Sequence, residues 1–145
     1  MNPAAGGGGD ADPVVEAFRE AGGRRVRRTS TSGDAGRFAR EAREAGEPHI
    51  IVAGGDGTLR EAVEGLVGSG FVDELTLGIV PTGTGNDLAR SLGIPDDPQA
   101  AVEVAMALEG AGASARRTVD LLRVELDDSE PLWALNAVVV GRGGA

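Results

Sequence analysis

Apolar residues alternate between helical spacing and short continuous runs along the first hundred positions. Val14, Val15, Phe18 and Ala21 fall on one helical face, opened by Asp12-Pro13 and closed by Gly22-Gly23. After a polar, basic segment at 24–32, with a short strand expected around Val26, Asp34 opens a second helix. Ala35, Phe38, Ala39 and Ala42 share its apolar face, and Gly46 ends it. Residues 49–53 form an unbroken β-branched run, the pattern of a strand covered on both faces. Thr58-Leu59-Arg60-Glu61 then fits a capping box, followed by an apolar stripe of Leu59, Ala62, Val63 and Leu66. Residues 75–80 predict another strand, 88–92 a short helix stopped by Gly93 and Pro95, and Asp97-Pro98 a helix to about Leu108 with Val102, Ala105 and Met106 inward. Beyond Arg117 strand follows strand, 118–126 and 132–140 across an acidic turn, which predicts an antiparallel unit.

This alternation predicts an α/β fold: a three-layer α/β/α, Rossmann-like domain with a mostly parallel sheet, followed by the first strands of a β unit. A chain of 145 residues accommodates one main domain with a core of its own. Its net charge of −9 argues against a nucleic-acid surface. All fourteen cations are Arg, so a phosphate loop of the Walker type, which needs a Lys, is excluded. With no Cys, disulfides and thiol nucleophiles are excluded, and with a single His, His49, an imidazole metal cluster or a His-based triad is not expected. His49 reads as a polar residue at the start of a strand. No run approaches the ~18 apolar residues of a membrane span, and no signal peptide is recognisable, so a cytoplasmic chain is expected.

Two loops fall where strands give way to helices. In GGDGT, Gly54, Gly55 and Gly57 allow the backbone to approach an anion without a Cβ in the way, beside the positive end of the following helix. Asp56 is unusual there, because a carboxylate near phosphates is repelled unless a metal ion, backbone donors or a proton-transfer role compensates. It is the candidate catalytic residue, read as organising the loop and the Mg²⁺ or water network ahead of acting as a base. Thr58 can cap the helix or donate to a phosphate oxygen. The second loop, PTGTGND at 81–87, pairs Gly83 and Gly85 with the hydroxyls of Thr82 and Thr84, while Asn86 and Asp87 can cap the short helix and hold the loop. Either loop alone could be an ordinary turn. Two of them on neighbouring strands, at the sheet edge where open α/β folds bind ligands, favour a polyphosphate site.

GGDGTLREAVEGL followed by LGIVPTGTGNDLARSLGIP resembles the catalytic domain of the diacylglycerol kinase family, which includes bacterial and archaeal lipid kinases and sphingosine kinases. Asn2-Pro3 with Gly6 to Gly8, Thr29 ahead of Gly33-Asp34-Ala35, Asp120-Leu121 and Leu135-Asn136-Ala137 extend the resemblance over nearly the whole chain. It departs at Ala5, where Ser is usual, at Arg60, where Asn is commoner, and in having only Met1 where an apolar strand usually precedes Asn-Pro. The resemblance implies ATP held by Asn2, Pro3, Gly6, Thr29, Gly54, Gly55, Asp56, Gly57, Thr58, Leu59, Arg60 and Thr84, with Asn86 and Asp87 supporting the second loop. It also implies Mg²⁺ and transfer of the γ-phosphoryl group to the hydroxyl of diacylglycerol or a related lipid. Residues 1–117 are then a nucleotide-binding α/β kinase domain and 118–145 the start of a truncated β domain. In the family, the β-sandwich domain carries the candidate base, metal-linked acids and part of the lipid site.

An NAD kinase-like enzyme, which shares GGDG but not the second loop, and a nucleotide-binding module without turnover remain as alternatives. The implied partners are ATP and a lipid alcohol, with peripheral membrane contact and self-association left open. Trp133 reads as core or interface packing ahead of a lipid contact. Arg24, Arg25, Arg27 and Arg28 read as a solvated edge ahead of a contact with acidic head groups.

Overall fold

A computed structural model describes residues 12–23, 25–68, 70, 76–107, 116–125 and 131–135. In chain order these form α1 (Pro13–Glu20), α2 (Asp34–Glu44), β1 (His49–Gly54), α3 (Asp56–Gly68), β2 (Thr76–Pro81), α4 (Asp87–Ser91), α5 (Pro98–Met106), β3 (Leu122–Val124) and β4 (Leu132–Ala134). β1 and β2 pair in parallel, with His49 opposite Thr76 and Gly54 opposite Pro81. α3 is the crossover that such a pair requires.

Strand alternation sends successive side chains to opposite layers. Ile50 and Val52, with Leu77 and Ile79, meet Ala35 and Ala39 of α2, Leu59, Ala62 and Leu66 of α3, and Leu88 of α4. Ile51, Ala53 and Val80 face the other way, onto Val14 and Phe18 of α1 and Ala101, Val102 and Ala105 of α5. The fold is therefore α/β, with a parallel sheet between two helical layers. Leu66, Val80 and Val102 are its most deeply buried large side chains, one in each layer. Asp12 and Asp97 start α1 and α5 as the sequence predicts, accepting from the amides of Val14 and Ala100 at 3.1 and 2.9 Å.

Three local expectations change. Residues 25–30 form no strand, and Val26 is 38% exposed. This segment is held by side chains: Arg27 pairs with Glu41, and its guanidinium lies 3.7 Å above the Phe38 ring. The capping box at Thr58 does not form, because α3 begins at Asp56 with only Gly55 between strand and helix. Thr58 is buried against Gly54, and Glu61 reaches outward to another segment. β3 and β4 are antiparallel, as the change of pattern after Arg117 implies, but each is three residues long. Residues 116–121 stay unpaired in sheet terms and mostly exposed, and 126–130 and 136–140 lie outside the described residues.

α2 and α3 cross with almost no space between their backbones. A Cβ on Gly65 would stand 2.1 Å from the Gly36 carbonyl oxygen, and one on Gly36 would stand 2.7 Å from that of Glu61. Neither obstacle is a flexible side chain, so relief requires moving a helix. Gly65→Ala is expected to lower the denaturant midpoint, with a loss of about 1–3 kcal/mol and an unchanged m-value. Urea unfolding followed by circular dichroism measures it.

Candidate functional site at the ends of the parallel strands

β1 and β2 finish side by side, and the Thr82 amide donates to Gly54 O at 3.1 Å, extending the ladder one residue past the strands. There the two loops touch. A Cβ on Gly83 would lie 2.5 Å from Gly55 Cα, and one on Gly55 would lie 3.2 Å from Gly83 Cα. The backbones approach so closely that side chains are excluded from the contact.

Asn86 fixes the second loop. Its Oδ1 accepts from the Gly83 amide at 3.1 Å and its Nδ2 donates to the Gly83 carbonyl at 2.7 Å. The residue is buried and left-handed, with φ 53°, a conformation that Asn tolerates better than most side chains. It shapes the loop without capping α4 through its side chain, so of the two roles expected for it, capping the helix and holding the loop, only the holding is realised. Thr84 is exposed in the same loop. Asp87 ties that loop to the first one, its amide donating to Asp56 Oδ2 at 3.3 Å. A Cβ on Gly85 would come within 2.9 Å of the same Asp56 oxygen.

Asp56 and Gly57 open α3, and the two differ in their surroundings. Asp56 faces the second loop, whereas a Cβ on Gly57 would meet nothing within 4 Å. The first amides of a helix have no intrahelical acceptor and carry its positive pole, so the open side at Gly57 is where an anion would be received. Leu59 is placed differently. Its side chain is in the core and its amide donates to Gly55 O at 3.1 Å. Arg60 is exposed, pairing with Glu64 one turn on at 3.5 Å.

A cavity of about 260 Å³ adjoins this loop. Asp56, Arg60 and Asp87 contribute charge to its lining, while Leu59, Val63, Leu88, Trp133 and Leu135 contribute apolar surface. Trp133 thus packs at the junction of β4 with α3 and also borders the cavity, with Arg123 5.9 Å from its ring centroid.

Thr29 is buried at the head of a segment with its own fastening. Asp34 Oδ2 accepts from the Ser30 amide at 2.8 Å, the Thr31 amide at 3.1 Å and the Ser30 hydroxyl at 3.1 Å. Its other oxygen takes the Arg37 guanidinium at 2.7 Å. The Ser30 amide first, then Arg37 and the Thr31 amide, hold the Asp34 carboxyl well below the usual carboxylate range. Arg27 and then Arg37 lower Glu41 in the same way. Of the basic run, Arg25 and Arg27 are therefore engaged by Glu47 and Glu41.

The candidate residues Gly54, Gly55, Asp56, Gly57, Thr58, Leu59, Arg60, Thr84, Asn86 and Asp87 come together at one edge of the sheet. Thr29 sits in the segment that Glu61 joins to α3. Asn2, Pro3 and Gly6 lie outside the described residues. The sequence reading missed Glu61 as a long-range acceptor and Gly83 as a contact partner of Gly55. For Glu61 the only available signal was its place one turn into α3, which a capping box explains equally well. Among the described residues no group of three or more His, Cys, Asp or Glu could hold a metal ion. Asp56 and Asp87 still suit Mg²⁺, which usually takes one or two carboxylates together with substrate phosphates. No described helix is long and apolar enough to cross a membrane.

A parallel α/β sheet with its candidate site at the carboxyl ends of the strands defines a class of ligand-binding fold without specifying the ligand. Comparison with known proteins narrows the class. The profile of the diacylglycerol kinase catalytic domain matches residues 1–124, and the chain belongs to that family. A relative from Chromohalobacter salexigens named "Probable lipid kinase YegS-like" is 47% identical over 94 residues, covering 64% of this chain and 30% of its own. One of the same name from Cronobacter sakazakii is 36% identical over 118 residues, covering 81% of this chain and 36% of its own. The crystal structure of a diacylglycerol kinase from Bacillus anthracis superposes with a TM-score of 0.63 at 32% identity, covering 74% of this chain and 38% of that one. The chain thus spans about a third of the length of these curated relatives.

The Asp34 network has a pH signature. A carboxyl depressed on folding stabilises the native state above its unfolded value of about 3.9, and that contribution is lost as pH falls through and below it. Asp34→Asn is therefore expected to melt below the wild type near neutral pH, with the gap narrowing as pH falls from about 4. Parallel thermal melts across that range provide the check.

Proposed function

We propose that this chain binds ATP at the crossing of its two glycine loops, and that the reaction it serves is transfer of the γ-phosphoryl group to the hydroxyl of diacylglycerol or a related lipid. Family membership supports a kinase of lipids. The observation that carries nucleotide binding is the open space at Gly57, at the positive end of a 13-residue helix and beside a contact that admits no side chains.

Each residue has a part in this reading. The first-turn amides of α3 hold phosphate oxygens, doing with backbone what a P-loop does partly with Lys. Gly55 and Gly83 keep the two loops in van der Waals contact, and Asn86 holds the second rigid, so the amides are positioned before the nucleotide arrives. Asp56 and Asp87 are the carboxylates placed to hold Mg²⁺ against the phosphates. When bound, MgATP supplies the phosphoryl group and an ion that neutralises its charge. The adjoining cavity would give the acceptor an apolar wall of Val63, Leu88, Trp133 and Leu135, and because Asp56 also lines it, a lipid hydroxyl bound there would lie beside the phosphate-binding loop.

Gly57→Ala separates this reading from a structural one. A methyl group there meets nothing in the protein, and Ala is favoured over Gly within helices by up to about 1 kcal/mol. The variant is expected to melt at or above the wild-type temperature while its affinity for ATP, measured by calorimetry, falls at least about tenfold because the methyl group occupies the phosphate position. Radiolabelled ATP offered with diacylglycerol and NAD as competing acceptors tests the acceptor. Label in NAD alone, or a wild-type chain that takes up no ATP, would reject the proposal.

A further inference from the structure

Glu61 performs a task that neither the loops nor the helix propensity of α3 requires. It lies one turn beyond Asp56 and Gly57, and its two carboxylate oxygens are both occupied by a segment twenty-eight and twenty-nine residues earlier in the chain. Oε1 accepts from the Ser32 hydroxyl at 2.9 Å, and Oε2 accepts from the Gly33 amide at 2.9 Å. Gly33 is the N-cap of α2, left-handed with φ 86° and without a side chain to cap the helix itself. Glu61 therefore supplies, from another helix, an anionic acceptor for the Gly33 amide at the start of α2, in addition to Asp34 in its first turn. Its main chain is committed to the same junction, since Gly36 leaves only enough room for the Glu61 carbonyl.

We infer that Glu61 is a positioning residue that clamps the 29–34 segment to α3 and so sets the affinity for ATP; this rests on the nucleotide reading above. Thr29 and the first turn of α3 are parts of the candidate nucleotide site that come from different segments of chain. Asp34 makes the 30–34 turn rigid within itself, and Glu61 fixes that rigid turn relative to the phosphate-binding end of α3. One residue on each side of the crossing thus converts two independent loops into a single surface. Glu61 touches no reacting group in this role; it acts through Ser32 and Gly33.

The test combines Glu61→Ala, Glu61→Gln and Ser32→Ala in the 145-residue chain. Amide hydrogen exchange at 30–33 is expected to quicken in Glu61→Ala, and calorimetric affinity for ATP to weaken about tenfold, within the usual range of a coupling between two sites. Glu61→Gln keeps one acceptor oxygen and is expected to fall between the wild type and Glu61→Ala. Ser32→Ala is expected to weaken binding on its own but to add nothing to Glu61→Ala, because the two groups share one hydrogen bond. Unchanged exchange and unchanged affinity in Glu61→Ala, or full additivity with Ser32→Ala, would overturn the inference. If Glu61→Ala does not fold, Glu61→Gln and Ser32→Ala decide it by the same two readouts. A wild-type chain that binds no ATP overturns the nucleotide reading and the affinity half of this inference, while quickened exchange at 30–33 would still support the clamp.

Discussion

Two stretches of backbone cross at the carboxyl ends of β1 and β2, and the separation of Gly55 from Gly83 sets what can surround them. A single methyl group on Gly83 would reach to 2.5 Å of its neighbour, so the contact requires Gly83 to lack a side chain, and a Cβ on Gly55, 3.2 Å from Gly83 Cα, would crowd it as well. The close approach brings the Asp87 amide to Asp56 and leaves Gly57 on the open side. Within the second loop, Asn86 closes on Gly83 with both ends of its amide. Move the loops apart by the width of a methyl group and the bond that joins them, from the Asp87 amide to Asp56, lengthens past a useful distance, while the bonds between Asn86 and Gly83, internal to the second loop, keep that loop's shape. A comparable constraint holds further along α3, where Gly36 and Gly65 bring α2 in. The helix is located at its start by one glycine contact and at its middle by another.

Most of the scaffold was legible because it rests on local signals. Asp12-Pro13 and Asp97-Pro98 are helix starts whose chemistry is complete within three residues, and the run at 49–53 has the composition of a strand covered on both sides. The site was legible in part, since glycine-rich loops after strands carry their own meaning. What remained hidden depends on distance in the sequence. Glu61 follows Thr58 at the spacing of a capping box, and nothing local distinguishes a glutamate that folds back from one that reaches Gly33. Val26 sits among β-tolerant neighbours, yet the stacking of Arg27 on Phe38 outweighs any strand pairing there. Local propensity gave way in both cases to a contact made by tertiary structure.

The proposed site raises the question of how an acidic protein can receive an anion. A net charge of −9 repels a polyphosphate at long range, but at physiological salt that repulsion is screened over about 8 Å. Only nearby carboxylates matter, and several of these are occupied by backbone amides. Asp12 and Asp97 hold helix starts, Asp34 holds Ser30 and Thr31, Glu61 holds Gly33, and Asp56 holds Asp87. In each case negative charge is spent on a backbone donor that would otherwise be unsatisfied.

That distribution gives the exposed start of α3 its significance. In the second loop the amides of Thr82, Gly83 and Asp87 are matched to Gly54 O, Asn86 Oδ1 and Asp56 Oδ2, while a side chain at Gly57 would meet open space. Converting that turn into a self-satisfied one would take only a side chain long enough to fold over it, and glycine forbids this. On the proposed reading the absence of lysine is no handicap, because the positive potential comes from oriented peptide groups whose direction is fixed by two glycine contacts. If the proposed site receives phosphate, rigid placement of α3 by its glycine contacts does there the work that a mobile cation does in other phosphate sites.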